Sequence, residues 1–224
     1  MSVRTISKPL IINPDDKCLI IAPHPDDETL GCGGLLIKHS NNCTVVVLTD
    51  GSKFQKGNSE QIKKMRWEEL KSAMEFAKIK DYKNLMIRDK TLAKNLRKLK
   101  SLHLKKYDYV FVPNEYENHI DHKCILAKVK ALLRFHPKTK IICYEVWSPI
   151  SNPDLYFDIS DVINQKTEMI MLYKSQQEKN NYAEKITALN NYRGLAKRKD
   201  YMEAYVSVES FLQKVLSLFD YKKT

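Results

Sequence analysis

The 224-residue sequence predicts an α/β fold, a Rossmann-like three-layer α/β/α arrangement around a mostly parallel sheet. Three observations predict it. Apolar runs of strand length recur along the first two thirds of the chain. They lack the polar alternation of a half-exposed strand, which marks strands covered on both faces. Segments of helical period stand between them, and alternating strand and helix implies βαβ units with right-handed crossovers.

In chain order, the run CLIIA (18–22) is the first such strand, followed by a helix over 29–38. CTVVVL (43–48) is the second, followed by a helix over 59–78. Asn58 and Gln61 form a capping pair for that helix, and Ile62, Met65, Leu70, Met74 and Ala77 share one stripe of it. NLMI (84–87), a helix over 91–105, YVFV (109–112), a helix over 123–135 and KIICY (140–144) complete the alternation. Beyond Trp147 a polar loop bounded by prolines leads to a short strand over 155–159, and Ser160 is placed to cap a helix reaching about Lys174. Gly31, Gly33 and Gly34 fall inside the first helix rather than at its entry. They therefore suit close helix–sheet packing, not a G-x-G-x-x-G phosphate loop.

Length and the absence of a repeat or linker predict a single domain over 1–224. No apolar run is long enough to span a bilayer and the N-terminus lacks a signal-peptide pattern, so a cytoplasmic protein without an integral membrane segment is expected. Five cysteines without CxxC spacing argue for reduced, mostly buried thiols over a disulfide framework or a cysteine zinc site. The net charge is +11, and residues 53–106 hold 17 Lys or Arg against 6 Asp or Glu, which equals the whole excess. These cations recur at helical spacing without interleaved aromatics, the pattern of a solvated basic face rather than a nucleic-acid platform.

In open α/β sheets, ligands bind outside the carboxyl ends of the strands. Three polar clusters fall there: PHPDDE (23–28), TDG (49–51) and PNEYENHIDH (113–122). A helix N-terminus accounts for one acid of the first cluster, with Glu28 fixing the loop or the helix start. It does not account for Asp26 and Asp27 beside His24. Paired carboxylates next to imidazole suit a divalent cation, which offsets their mutual repulsion. His119 and His122 supply further imidazoles, with Asp121 between them. A catalytic zinc takes three protein ligands and keeps one open position. His24, Asp27 and His122 would fill such a set, leaving Asp26 and His119 for proton work.

With both motifs in order, the sequence resembles the PIG-L/LmbE family of zinc-dependent de-N-acetylases, marked by [AP]-H-P-D-D-E after the first strand and H-x-D-H after a later one. The similarity extends through LTDG (48–51), Arg66 and Glu69, EVWSP (145–149), residues 157–176 and LNNYRGL (189–195). The resemblance implies His24, Asp27 and His122 as metal ligands, with Zn2+ or another divalent metal such as Fe2+. It implies Asp26 as general base, His119 as a catalytic histidine supported by Asp121, and Arg66 and Asp89 on the substrate side. Two positions depart from the family. Asp89 lies in Arg-Asp-Lys where P-D-G is commoner, and Glu117 stands where some members carry a tyrosine. The implied activity is release of acetate from the N-acetyl group of an amino sugar, free or as a nucleotide- or lipid-linked N-acetylglucosamine conjugate. Alternatives are an amidase on another N-acyl substrate, such as an antibiotic or a thiol precursor, and a non-enzymatic basic nucleic-acid-binding protein. The enzyme reading expects no nucleic-acid partner and leaves room for a homo-oligomer.

Overall fold

A computed structural model of the chain describes residues 7–53, 57–209 and 211–213. The strands are β1 (Lys8–Pro9), β2 (Cys18–Ala22), β3 (Cys43–Thr49), β4 (Asp81–Ile87), β5 (Tyr109–Pro113), β6 (Lys140–Tyr144), β7 (Leu155–Asp158) and β8 (Met202–Val208). They form one eight-stranded sheet in the order β1-β7-β8-β6-β5-β2-β3-β4. The helices are α1 (Asp27–Lys38), α2 (Ser59–Phe76), α3 (Leu92–Asn95), α4 (Ile120–Leu132), α5 (Ile163–Met171), α6 (Lys174–Asn180) and α7 (Tyr182–Gly194).

The sheet is parallel except for β8, which runs antiparallel to both β6 and β7. Two cores lie on its two faces, and the strands alternate between them. Cys18, Ile20 and Ala22 of β2 face the core shared with α1, α2, α5 and α7. Leu19 and Ile21 face the core shared with α3 and α4. Residues of β3 and β5 alternate in the same way, so these runs need no polar positions.

The expected capping of α2 is present: Asn58 Oδ1 accepts from the amides of Glu60 and Gln61 at 2.9 and 3.4 Å. Beyond the unexpected two-residue β1 and shifts of two or three residues at the ends of α1, β4 and α4, three elements differ from the sequence reading. The segment expected as a helix over 91–105 is one α turn followed by 3-10 turns at Leu96–Leu102 and Leu104–Lys106. Leu96, Leu99 and Leu102 recur every three residues, and that period matches three residues per turn. The helix expected from Ser160 begins at Ile163, because the Ser160 hydroxyl donates to Asp158 Oδ1 at 2.7 Å. It also ends at Met171, and α6 resumes the chain at Lys174. Strand β8 has no counterpart in the sequence reading, since a glutamate interrupts its apolar run. That residue, Glu203, is 1% exposed and accepts from the backbone amides of Gly34 and Leu35 in α1 at 2.7 and 3.1 Å. It also accepts from Lys166 Nζ at 2.8 Å and the Tyr205 hydroxyl at 2.7 Å.

The five cysteines are unpaired and all but Cys124 are buried. No helix among the described residues is long and apolar enough to cross a membrane. The glycines of α1 permit close packing. A Cβ on Gly31 would lie 2.2 Å from Tyr144 Cδ2, and one on Gly34 would lie 2.3 Å from Ile159 Cγ2. Tyr144 cannot swing aside without breaking its hydroxyl bond to the Ile21 carbonyl, 2.9 Å long and buried. Gly31→Ala should therefore cost about 1–3 kcal/mol, the usual penalty of overpacking, read as a lower urea midpoint at unchanged slope.

Candidate active site

Strand β2 is the point where the sheet's strand order diverges, with β3 on one side and β5 on the other. Loops leaving the carboxyl ends of β2 to β6 meet above it, as expected of an α/β switch point. They bring together residues that are distant in sequence: His24 to Asp27, Asp50, Asp89, His119 to His122, and Trp147. A cleft of about 290 Å³ opens there.

At its floor, Asp27 Oδ2 lies 3.2 Å from His24 Nδ1 and 3.2 Å from His122 Nε2, and the two nitrogens are 3.3 Å apart. Three donor atoms thus form a nearly equilateral triangle. A tetrahedral ion with bonds of about 2.0–2.1 Å to nitrogen and oxygen needs donor–donor edges of about 3.3 Å, so these residues fit a zinc-sized cation. The other nitrogen of His24 faces Asp89 Oδ1 at 3.3 Å and Asp121 Oδ2 at 3.5 Å. Metal-ligating histidines are usually oriented by such carboxylates. His24, His119 and His122 also offer three nitrogens within 4.8 Å of one another, as His24, Asp89 and Asp121 offer a nitrogen and two oxygens.

The electrostatics of the floor favour positive charge. Burial works against ionisation of Asp27, but His122 and His24 outweigh it and hold the carboxyl well below the usual range. Burial likewise opposes charge on His122, yet Asp27 and Glu117 raise its pKa to about 9. A cation bound among these donors would supply the same charge and displace the protons.

Asp26 sits beside this triangle in a strained backbone, with φ 138° and ψ −33°. Non-glycine residues seldom adopt that region, and strain of this kind persists only where surrounding contacts over-determine it. Two sets of contacts do so. Arg66 Nη2 pairs with Asp26 Oδ2 at 3.1 Å and also donates to the Pro25 carbonyl. The Asp26 amide donates to Glu28 Oε2 at 3.2 Å, while Glu28 Oε1 accepts from the Tyr173 hydroxyl and, at 2.9 Å, from Thr29 Oγ1. Burial pushes the Asp26 carboxyl up to about 8; Arg66 pulls it down, and the Asp27 and Glu28 charges add to the push. Gly51 has φ +61°, and a Cβ there would lie 2.8 Å from Arg66 Cδ, so the glycine of the TDG loop also makes room for Arg66.

His119 caps α4. Its Nδ1 accepts from the Asp121 amide at 3.2 Å, which leaves Nε2 to carry the proton of the neutral ring. Burial, with the charges of His24 and His122, lowers its pKa. The expected support of His119 by Asp121 therefore comes from the Asp121 backbone, whereas the Asp121 carboxylate lies against His24 and accepts from the Lys90 amide at 3.1 Å. Asp89 accepts from the Lys53 amide at 3.0 Å. Burial opposes its ionisation, but the contact with His24 holds it down at about 2. Asp50 Oδ1 links the two loops by accepting from the Ser52 and Asp89 amides at 3.0 and 3.1 Å.

The cleft thus gathers His24, Asp26, Asp27, Arg66, Asp89 and His119, with His122 and Asp121 buried just beneath. The sequence reading missed the use of Glu117, Trp147, Tyr173 and Tyr182. Glu117 is fully buried, accepts from the amides of Val146, Trp147 and Ser148 at 2.9–3.3 Å, and faces His122 Nδ1 at 3.6 Å. A carboxylate inside PNEYENHIDH and an aromatic just past β6 were the signals available for two of them. Nothing in the sequence ties Tyr173 or Tyr182 to a site.

Residues 19–133 match the family described as PIG-L: GlcNAc-PI de-N-acetylase. A curated relative, the probable N-acetyl-alpha-D-glucosaminyl L-malate deacetylase 2 of Bacillus cereus, is 28% identical over 71% of this chain and 83% of its own length. Among solved structures, the N,N'-diacetylchitobiose deacetylase of Pyrococcus horikoshii superposes with a TM-score of 0.76 at 22% identity, covering 87% of this chain and 84% of that one. The 4-carboxy-2-hydroxymuconate hydratase of Pseudomonas putida KT2440 superposes with 0.73 at 19% identity, covering 86% and 96%. At such identities the likeness extends to the fold, which evidently accommodates both a deacetylase and a hydratase.

If Tyr173 and Glu28 hold the Asp26 turn together, a double-mutant cycle of Tyr173→Phe and Glu28→Gln in urea should show coupling of about 1 kcal/mol or more. Additive effects would mean that the two side chains act independently.

Proposed function

The chain belongs to the PIG-L family of GlcNAc-PI de-N-acetylases, and from that premise we propose that it is a metal-dependent hydrolase that removes the N-acetyl group of an amino sugar or its conjugate. The observation that carries this reading is the triangle of His24 Nδ1, Asp27 Oδ2 and His122 Nε2 with the buried Asp26 carboxylate beside it. The fold alone would not carry it, since a hydratase shares the fold. A curated relative named as a probable N-acetyl-alpha-D-glucosaminyl L-malate deacetylase supports the same chemistry on sugars.

In this reading His24, Asp27 and His122 would hold a zinc or iron ion, and the chemistry it would supply there is Lewis acidity toward the acetamide carbonyl and a lowered pKa for water, from 15.7 to about 7. Asp26 takes the proton of the attacking water. Its raised pKa suits that task, because a base titrating near neutrality can both accept and return a proton. Arg66 keeps the carboxylate aimed through its contact with Oδ2. The Nε2–H of His119, fixed by the Asp121 amide, is the group placed to donate a hydrogen bond to oxygen as negative charge develops there. Asp89 and Asp121 hold the His24 ring through Nε2, so that Nδ1 faces its partners. When the C–N bond breaks, the amine nitrogen takes up a proton from Asp26 or His119, and acetate leaves with the water oxygen.

Acetate release from N-acetylglucosamine glycosides, measured with and without chelator, tests the reading. Chelation should abolish release, and added zinc or iron should restore it. Asp26→Asn should retain the metal and lose about 10²–10⁴-fold in kcat. His24→Ala and His122→Ala should instead lose the metal, measured directly as metal content. Unimpaired turnover by Asp26→Asn would remove the base assignment.

A further inference from the structure

The cleft wall formed by Trp147 is not used in the chemistry above. Trp147 is 47% exposed, and its indole lies perpendicular to the His119 ring at 5.5 Å and 88° and tilted against His122 at 5.7 Å and 35°. Every other described residue lining the cleft is ionic, an imidazole, a carboxamide or the phenol Tyr182. Trp147 and Tyr182 line this wall together. Asn181, between α6 and α7, is left-handed at φ 45° and ψ 52°, and this break in the helical run sets Asn180 and Tyr182 at the cleft on consecutive turns. Gln176 of α6 lines the same wall.

The half-exposed indole gives a cleft otherwise lined by charged and polar groups its one broad apolar face. Its position is also fixed. Glu117 accepts the three successive amides that carry Trp147 and faces His122 with its other oxygen, so one buried carboxylate sets both the ring beneath and the loop above. A pyranose presents an apolar C–H face and a rim of hydroxyl groups. One aromatic face flanked by two carboxamides and a phenol is complementary to both.

We propose that Trp147 is the platform on which the sugar ring of the substrate packs, with Gln176, Asn180 and Tyr182 taking its hydroxyl groups. This rests on the amino-sugar reading above and adds the surface that recognises the sugar as distinct from the acetamide. A Trp67→Phe background leaves Trp147 as the single indole of the chain, which has two tryptophans. In that protein, N-acetylglucosamine should change the indole emission saturably. Trp147→Ala should raise KM for methyl N-acetylglucosaminide about tenfold, while kcat/KM for the sugarless amide N-acetylethanolamine moves by less than about twofold. Trp147→Phe, which keeps an aromatic face, should recover most of the loss.

The two readings fail separately. Acetate release without an emission change overturns the platform and leaves the deacetylase standing. A saturable emission change without acetate release leaves the platform and removes the deacetylase. Equal losses on both substrates, or reduced metal content in Trp147→Ala, would make Trp147 a cover for His122 and overturn the proposal.

Discussion

One oxygen organises the centre of this molecule. Asp27 Oδ2 accepts the His24 backbone amide at 2.9 Å and lies 3.2 Å from a ring nitrogen of each of two histidines. Asp27 is 2% exposed, and a buried carboxylate must be matched by positive charge if it is to remain ionised. The imidazoles can supply that charge as protons and a metal can supply it as an ion. The fold is therefore built around a demand for a cation, and affinity for metal and protonation of the histidines become opposite sides of one equilibrium.

The surrounding backbone is arranged to meet that demand at one point. Helix α1 begins at Asp27, and α4 begins one residue after His119, so two helix N-termini converge on the floor. Their partial positive charge favours the carboxylates gathered there. The strained turn at Asp26 is what lets adjacent aspartates serve different ends. With φ at 138°, Asp26 points to Arg66 while Asp27 points to the histidines. A relaxed helical turn would not separate the two carboxylates in this way.

Much of this was legible in the sequence, for identifiable reasons. Strands β2, β3 and β5 were visible because both faces are buried, so their apolar runs are continuous. The motif residues His24, Asp26, Asp27, His119 and His122 were visible because acids and imidazoles crowd together past the carboxyl ends of strands, where α/β folds bind ligands. What escaped has physical causes too. Strand β8 carries a buried glutamate that looks like a surface residue until its partners, Lys166 and two helix amides, are known. The Leu96–Leu102 segment differs from an α-helix by a period of three against 3.6, a small difference over so short a stretch. Tyr173 meets Glu28 across 145 residues of sequence, and only the packing of α5 against α1 reveals the pair.

The glutamate in β8 also bears on when the centre can exist. Glu203 reaches across 169 positions to the amide of Gly34, in the middle of the helix whose first residue is Asp27. Strand β8 is thus tied to the helix that opens the motif. Contacts of such long sequence separation form late, because the loop entropy they demand is met only after most of the chain has collapsed. The helix that opens the first motif therefore reaches its final setting only once β8 has joined the sheet, so the floor around Asp27 is completed by a contact made far along the chain.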